Sequence, residues 1–434
     1  MTQSTYLTAV VADANGTIFD LEGFAAVGMA GDQLKPLTVA ETVAMPYGGE
    51  LMFLPDRVPV VYDIGQGQLV EMAQNPFKPD QPLFPVAVFN SPGYVVSHTV
   101  AYQERPRAGL LPLFSYGAVG WHGGQFQSAV RLVDAEPRQD LRQMPPEAVA
   151  KGVDRMRRQL PENRLRRHLE KCALQYGCPA AKNFFLGRYE APLPTAQTCN
   201  ARCLGCLSLQ DTGAISASQD RIAFTPNAHE IAQVALAHIR RVKRPVVSFG
   251  QGCEGDPLLA AAVIAPAIGL IRAQTGAGTI NMNTNGSRPD LLNDLFDAGL
   301  ESIRVSLNSL RPSCYEAYFR PRGYAFDDVL ASIDLGLGKG RHVALNYLNC
   351  PGVSDAPQEF AALCAFLDRH PVHMIQWRNL NFDPLRYFKR MQQVASHGVP
   401  MGMGKVLEQL RRRFPKLVFG YFNPPKERFT YHER

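Results

Sequence analysis

The chain has 434 residues, 46% of them apolar, enough to bury two or three domain cores. Its 45 basic and 39 acidic residues leave a formal charge of +6, which suits an anionic partner and by itself identifies none. Nine cysteines, odd in number and unevenly spread, exclude a secreted disulfide framework and point to a reducing, cytoplasmic setting. Met1 to Val10 lack the basic start and apolar core of a secretory signal. The longest apolar run, Pro257 to Ile271, is too short to cross a bilayer, so no membrane partner is expected.

Residues 1–142 are expected to form a β-rich N-terminal domain. Leu51–Leu54, Val58–Tyr62 and Val86–Phe89 are strand-like and bounded by Gly, Pro, Asp and Asn, and Ala118–Gln125 predicts a hairpin tip. His98 and His122 in this stretch read as packing or surface residues. Residues 143–188 change to helix: Val149, Val153, Met156 and Leu160 share one face, and Leu165 and Leu169 continue the pattern beyond Pro161. The other faces carry Lys151, Arg155, Arg157, Arg158, Arg164, Arg166, Arg167 and Lys171. A solvated face is the simpler reading, and an RNA- or acidic-partner-binding face the sharper one. Cys172 and Cys178 follow; with five residues between them they could join a second cluster, but for want of further partners buried or free thiols are the preferred reading, and Pro179 is expected to end the segment.

Residues 189–385 alternate strand and helix, the pattern of a parallel sheet with crossover helices. Six strands are expected near Tyr189–Ala196, Pro245–Phe249, Thr279–Asn285, Ser302–Asn308, His342–Asn349 and His373–Leu380. Asn227–Glu230 is a capping box for the first helix, and Pro289 and Gly299 bracket a later one. Side chains alternate faces along a strand. Asn281, Asn283 and Asn285 share one face of the third strand; Arg304, Ser306 and Asn308 share one face of the fourth; Asn346 on the fifth and Gln376 and Arg378 on the sixth continue the polar side. A strand covered on both sides is apolar throughout, so a polar face repeated in four strands predicts a barrel lumen holding a polar ligand. Residues 386–434 are expected to add a helix (Val406, Leu407, Leu410), a strand within Leu417–Phe422 and a loosely ordered tail from Pro424.

The chemistry concentrates at the exit of the first strand, where Cys199, Cys203 and Cys206 follow the spacing Cys-x3-Cys-x2-Cys with no fourth Cys or His at ligand distance. A closed structural zinc site takes four protein ligands, so three thiolates predict an open coordination position, as on an iron–sulfur cube with one iron free. The motif, the turn Gly250–Pro257 after the second strand and the polar lumen together resemble the radical S-adenosylmethionine superfamily, over roughly Tyr189 to Pro384.

That resemblance implies an α/β fold with a partial (β/α)6 TIM-like barrel. It also implies a 4Fe-4S cluster on Cys199, Cys203 and Cys206, whose free iron chelates S-adenosyl-L-methionine and reduces it to methionine and a 5′-deoxyadenosyl radical. The glycine-rich turn corresponds to the element that receives the methionyl ammonium, with Gly250 and Gly252 giving backbone access and Glu254 and Asp256 both candidates for the acidic role. Ser306 and Asn308 resemble ribose-binding residues, Thr284, Asn285 and Asn346 are further candidates for the pocket, and Arg304 or Arg378 for the cofactor carboxylate. Gly205 departs from the pattern, because the residue before the third Cys is usually bulky and touches the adenine; Leu204 or Leu207 is the expected substitute. Cys314, Cys350 and Cys364 are too few for an auxiliary-cluster extension. The implied partners are an electron donor such as a flavodoxin or ferredoxin and a protein, peptide or RNA substrate. The alternative is a non-enzymatic metal-binding regulator or nucleic-acid-binding protein.

Overall fold

A computed structural model describes residues 5–429 apart from 211, 212 and 214. Met1–Ser4 of the N-terminal stretch and Thr430–Arg434 of the tail lie outside the described residues.

The first part of the chain is antiparallel sheet, built on the long strand Ile18–Ala30 paired with Thr8–Ala12, Arg57–Asp63 and Gln33–Pro36. The expected hairpin is present, with Gly117–His122 pairing against Gln125–Ser128. Three helices follow: α1 (Pro146–Gln159), α2 (Arg164–Leu174) and α3 (Pro179–Leu186). Val149, Val153, Met156, Leu165 and Leu169 are buried as the spacing requires. Pro179 starts α3 instead of ending the segment, because its missing N–H is harmless at the first helical position. Much of the basic face is matched internally. Arg157 pairs with Asp154 and Glu170, Arg166 with Glu170, Arg164 with Glu230 and Lys171 with Asp220. The solvated, ion-paired reading of these helices is therefore the one their surroundings favour.

The second part is an all-parallel sheet whose strands we number β1 to β7: Glu190–Pro192, Val246–Phe249, Thr279–Thr284, Ser302–Leu307, His342–Asn349, Met374–Asn379 and Val418–Gly420. They lie side by side in chain order, so the sheet is an open barrel with β1 and β7 at its edges. The connecting helices are α4 (Ala228–Ile239), α5 (Ala261–Arg272), α6 (Pro289–Ala298), α7 (Pro312–Phe319), α8 (Phe326–Gly338), α9 (Pro357–Arg369), α10 (Pro384–Gln392) and α11 (Met403–Arg413). The capping box at Asn227 and Glu230 opens α4, and Gly299 closes α6. α11 and β7 are the expected C-terminal helix and strand, and β7 extends the barrel by pairing with β6.

The two faces of the barrel strands divide as the alternation predicts. Ile280, Met282, Ile303, Val305, Val343, Leu345, Ile375 and Trp377 are buried against the helices. Asn283, Arg304, Ser306, Asn346 and Arg378 keep partial exposure on the opposite face. As far as Phe429 the expected loose tail is in fact docked: Lys426 N–H donates to Thr279 Oγ1 at 2.7 Å, its ammonium pairs with Glu301, and Phe429 stacks on His342.

The β-rich part caps the ends of β5 and β6. Asn349 and Asn379, in register on those strands, hold the backbone of Tyr94 and Val96 through side-chain amides at 2.8–2.9 Å. Arg57 forms a buried ion pair with Asp383 at the start of α10. Among the described residues no helix is long and apolar enough to cross a membrane.

Candidate active site

β1 is short, and the chain leaves it through Thr195 and Ala196 into the cysteine loop. Backbone hydrogen bonds from Arg202 N–H to Phe319 O (2.8 Å), Leu204 N–H to Tyr318 O (3.1 Å) and Arg322 N–H to Asn200 O (2.8 Å) fix the loop against α7 and its exit. Asn381 donates to Gly205 O at 2.8 Å, and Gln210 to Cys206 O at 2.7 Å. Cys199, Cys203 and Cys206 all remain free thiols, close enough to act on one another electrostatically. Burial pushes the Cys199 thiol up to about 12, with the negative charge of Asp256 adding to it, and raises Cys203 well above the ordinary thiol value. The arginine Arg221 approaches Cys206 Sγ at 3.5 Å. Any metal bound here must displace protons from buried thiols, so binding and deprotonation are coupled.

The turn after β2 runs against this loop. Gly255 N–H donates to Ala196 O at 2.7 Å and Asp256 N–H to Thr198 O at 2.9 Å. The approach is so close that a Cβ on Gly255 would sit 1.8 Å from Thr198 O, and one on Gly250 would sit 1.7 Å from Asn283 O. Gly250 also has a φ of +80°, which L side chains avoid. Gly252 is looser, facing the Gln219 side chain.

The two acidic candidates separate by geometry. Glu254 Oε1 accepts from Gly250 N–H and Gln251 N–H, and Oε2 from Thr195 N–H and Ala196 N–H, all between 2.7 and 2.9 Å. A carboxylate has about four lone-pair sites, so Glu254 is fully used in bracing the exits of β1 and β2. Burial pushes its carboxyl up to about 7 against the pull of those four donors. Asp256 accepts from Leu258 N–H and Thr284 Oγ1 on Oδ1 and from Asn285 N–H on Oδ2, which leaves one acceptor position open. Its charge acts on Cys199, so it borders the thiols. Its own carboxyl is raised by burial.

The remaining expected residues sort into braces and open groups. Asn285 donates to Asn200 Oδ1 at 2.8 Å and accepts from Ser287 N–H, tying the cysteine loop to the end of β3. Asn308 does not join the open face: it is fully buried and donates to Cys314 O and Tyr387 Oη, because the chain turns under α7 and α10 at that point. Ser306 and Asn346 do share the open face, 3.3 Å apart through the Asn346 amide. Arg304 Nε, Asn346 Oδ1 and Gln376 Oε1 are buried atoms with no hydrogen-bond partner among the described residues. Deeper in the lumen Asn281, Asn283, Ser248 and Glu190 bond to one another or to Asn423, which enters from beyond β7. The sequence offered no signal for Asn423, since it lies outside every strand. Cys314, Cys350 and Cys364 are buried separately.

Gly205 also finds a physical account. A side chain there would meet Tyr318 Oη and Asn381 O at 3.1 Å, so the volume is already filled by an aromatic residue from α7 and an amide following β6. Neither Tyr318 nor Asn381 was identifiable from spacing, because both are brought to the loop by the barrel's curvature.

Residues 193–364 match the Radical SAM superfamily profile. The chain is 28% identical over 178 residues to GTP 3′,8-cyclase of Heliobacterium modesticaldum, covering 41% of this chain and 50% of that protein. It is 26% identical over 264 residues to Molybdenum cofactor biosynthesis protein 1 of Homo sapiens, covering 59% of this chain and 37% of that protein. The chain thus spans half or less of the length of these two relatives. Among solved structures it is similar to Streptococcus suis SuiB bound to precursor peptide SuiA, with a TM-score of 0.39 and 12% identity over 59% of this chain and 52% of that one. Residues 193–364 are therefore a domain of the radical SAM superfamily, whose members use a 4Fe-4S cluster and S-adenosylmethionine.

Proposed function

We propose that Cys199, Cys203 and Cys206 hold the cluster, that S-adenosylmethionine lies along the turn Gly250–Asp256, and that the substrate is an anion of nucleotide size. The observation that carries the substrate class is the charge of the lumen. Glu190, bonded to Ser248 and Asn423, is the carboxylate that acts on Arg304 among the described residues, against the guanidinium groups of Arg304, Arg378 and nearby Arg138. Burial draws Arg304 down to about 10, which still leaves it cationic at neutral pH. Two cations on one open face suit the cofactor's carboxylate and a second anionic group.

The residues suit the bound groups. Three protein thiols leave one iron of a cube for the cofactor, and Asp256 retains an acceptor position beside Cys199 where an ammonium would be matched. Bound together, cluster and cofactor supply one electron and a carbon-centred radical able to remove a substrate hydrogen. The chain's own contribution is placement and enclosure. Glu254 fixes the turn, Asn285 and Asn200 fix the loop, and the unpaired atoms of Arg304, Asn346 and Gln376 offer ready donors and acceptors. The β-rich part over β5 and β6 restricts entry, which protects a radical from side reactions. Electrons come from a reduced flavodoxin- or ferredoxin-class donor.

The activity for which the Heliobacterium relative is named, GTP 3′,8-cyclase, supports a purine nucleotide as the first compound to test. A protein or peptide substrate is the second reading, favoured by the domain over the barrel mouth. RNA is disfavoured by the ion pairing of α1 and α2. The test is anaerobic reconstitution with iron and sulfide, then dithionite and S-adenosylmethionine with and without GTP. We expect 5′-deoxyadenosine, increased by the nucleotide, and loss of both activity and cluster iron when the three cysteines are replaced. Cluster-loaded protein that never forms 5′-deoxyadenosine overturns the proposal; product formed but indifferent to nucleotides overturns the substrate class.

A further inference from the structure

A second set of metal-ligating side chains lies outside the three-cysteine loop. His168 and Cys172 stand one helical turn apart on α2, so they project from the same face. Cys253 comes from the middle of the turn after β2. His168 Nε2 lies 3.4 Å from Cys253 Sγ and 3.5 Å from Cys172 Sγ, and all three ligand atoms fall within 4.8 Å of one another. Among the described residues this is the group of three whose ligand atoms converge this closely. Cys178 stands beside this group without converging on it as closely. Its N–H donates to Cys172 O at 2.9 Å, and its thiol is near enough to act on both Cys172 and Cys253.

We propose that His168, Cys172, Cys178 and Cys253 form a structural zinc site that clamps α2 to the cofactor-binding turn. The distances fit that ion. Zinc bonds of about 2.3 Å to sulfur and about 2.0–2.1 Å to nitrogen, at a tetrahedral angle, set a sulfur–nitrogen separation of about 3.6 Å. The two separations seen here already approach it, and they bring two sulfurs from separate elements onto one ring nitrogen. Three cysteines and one histidine form a closed tetrahedral set, the pattern of structural zinc, with no position left for substrate. Asp220 acts electrostatically on His168 and is anchored by Lys171 at 2.7 Å, so a carboxylate stands near the ring as an outer-shell partner. On binding, the thiols release their protons to solvent and the metal keeps its oxidation state, so no electron donor is needed.

The position gives the clamp a consequence. Cys253 is flanked by Gly252 and by Glu254, whose carboxylate braces the exits of β1 and β2. A metal on Cys253 anchors that brace from outside the barrel, through a helix that also meets the barrel by the Arg164–Glu230 pair and its apolar face. The site is therefore structural, and its effect on cofactor binding passes through the turn.

The experiment is zinc and iron analysis of the anaerobically purified full chain, alongside a variant with Cys199, Cys203 and Cys206 all changed to Ala. We expect about one zinc per chain in both, with iron lost from the variant alone. Cys172→Ser and Cys253→Ser should lose zinc. Cys178→Ser should weaken zinc retention against a chelator by more than the about 10–100-fold typical of an outer-shell change. Where a serine variant folds poorly, cobalt titration of the cluster-free triple variant reads the site without it: intense tetrahedral thiolate–cobalt absorption is expected. Wild-type protein without zinc and with no tetrahedral cobalt spectrum overturns the proposal, as does extra iron bound at these four residues in place of zinc. Iron retained by the triple alanine variant would count against the cluster assignment and leave the zinc result standing.

Discussion

Arg57 Nη2 lies 3.0 Å from Asp383 Oδ2, and both side chains are almost wholly excluded from solvent at 2% and 0% exposure. Asp383 also caps α10 and accepts Tyr102 Oη at 2.9 Å, so one carboxylate joins the β-rich part to a barrel helix. Removing one partner of a buried pair strands the other charge, at a cost of about 3–5 kcal/mol. Asp383→Asn, which keeps the size, should lower the denaturation midpoint accordingly. A loss below about 1 kcal/mol in urea unfolding would show that the pair contributes little.

Glu254 and Asp256 should fail differently. Glu254→Gln places an NH2 group among four backbone donors, costing about 1–3 kcal/mol for each unsatisfied buried group, and should appear as lower thermal stability and poorer cluster retention. Asp256→Asn keeps the shape of the turn and removes the charge beside Cys199. Its NH2 meets one backbone donor where that of Glu254→Gln meets two, so it should cost less stability. It should weaken S-adenosylmethionine binding about 10-fold or more in calorimetry of reconstituted protein, the fold-change of a single lost charged hydrogen bond. Equal loss of cofactor affinity in both variants with no change in stability would remove the distinction.

Gly255→Ala forces a Cβ against the backbone of Thr198. Because the obstacle is main chain, the turn or the cysteine loop must move. We expect reduced iron per chain after reconstitution, while Gly252→Ala, which faces the Gln219 side chain, is tolerated. Comparable iron in both variants would contradict the close-approach argument.

Acid should destabilise the protein above the range where carboxylates titrate. Burial holds His98 and His238 down to about 4, and His342 to about 3, from an ordinary 6.5. The unfolded chain binds their protons first, so stability from this source is complete above pH 6.5 and declines as pH falls toward 4. His238 has its ring against Tyr189 O at 3.2 Å, which a glutamine amide can also reach. The melting temperature of His238→Gln should therefore fall less steeply than wild type between pH 6.5 and 4. Parallel curves would exclude His238 as a contributor.

What the sequence disclosed follows from which forces are local. Strand alternation revealed the polar lumen because Asn283, Arg304, Ser306, Asn346 and Arg378 obey the two-residue period inside regular strands. Asn308 broke the inference at a strand end, where the chain turns and the period no longer applies. The choice between Glu254 and Asp256 was illegible, since it depends on which carboxylate is exhausted by backbone donors from β1 and β2. Pro179 was misread as a terminator because the same residue ends one element and opens the next. Cys172 and Cys178 looked partnerless because Cys253 lies 75 positions beyond Cys178 in sequence and reaches them only through the barrel's winding.

Asn423 bonds to Glu190 on β1 and Ser248 on β2, although more than two hundred residues separate it from the former. During synthesis these last hydrogen bonds of the first barrel strands can therefore form only once nearly the whole barrel has left the ribosome. Long-range closure of this kind is slow relative to local helix formation. The lumen is therefore closed at its first strands by a residue that leaves the ribosome only after β7.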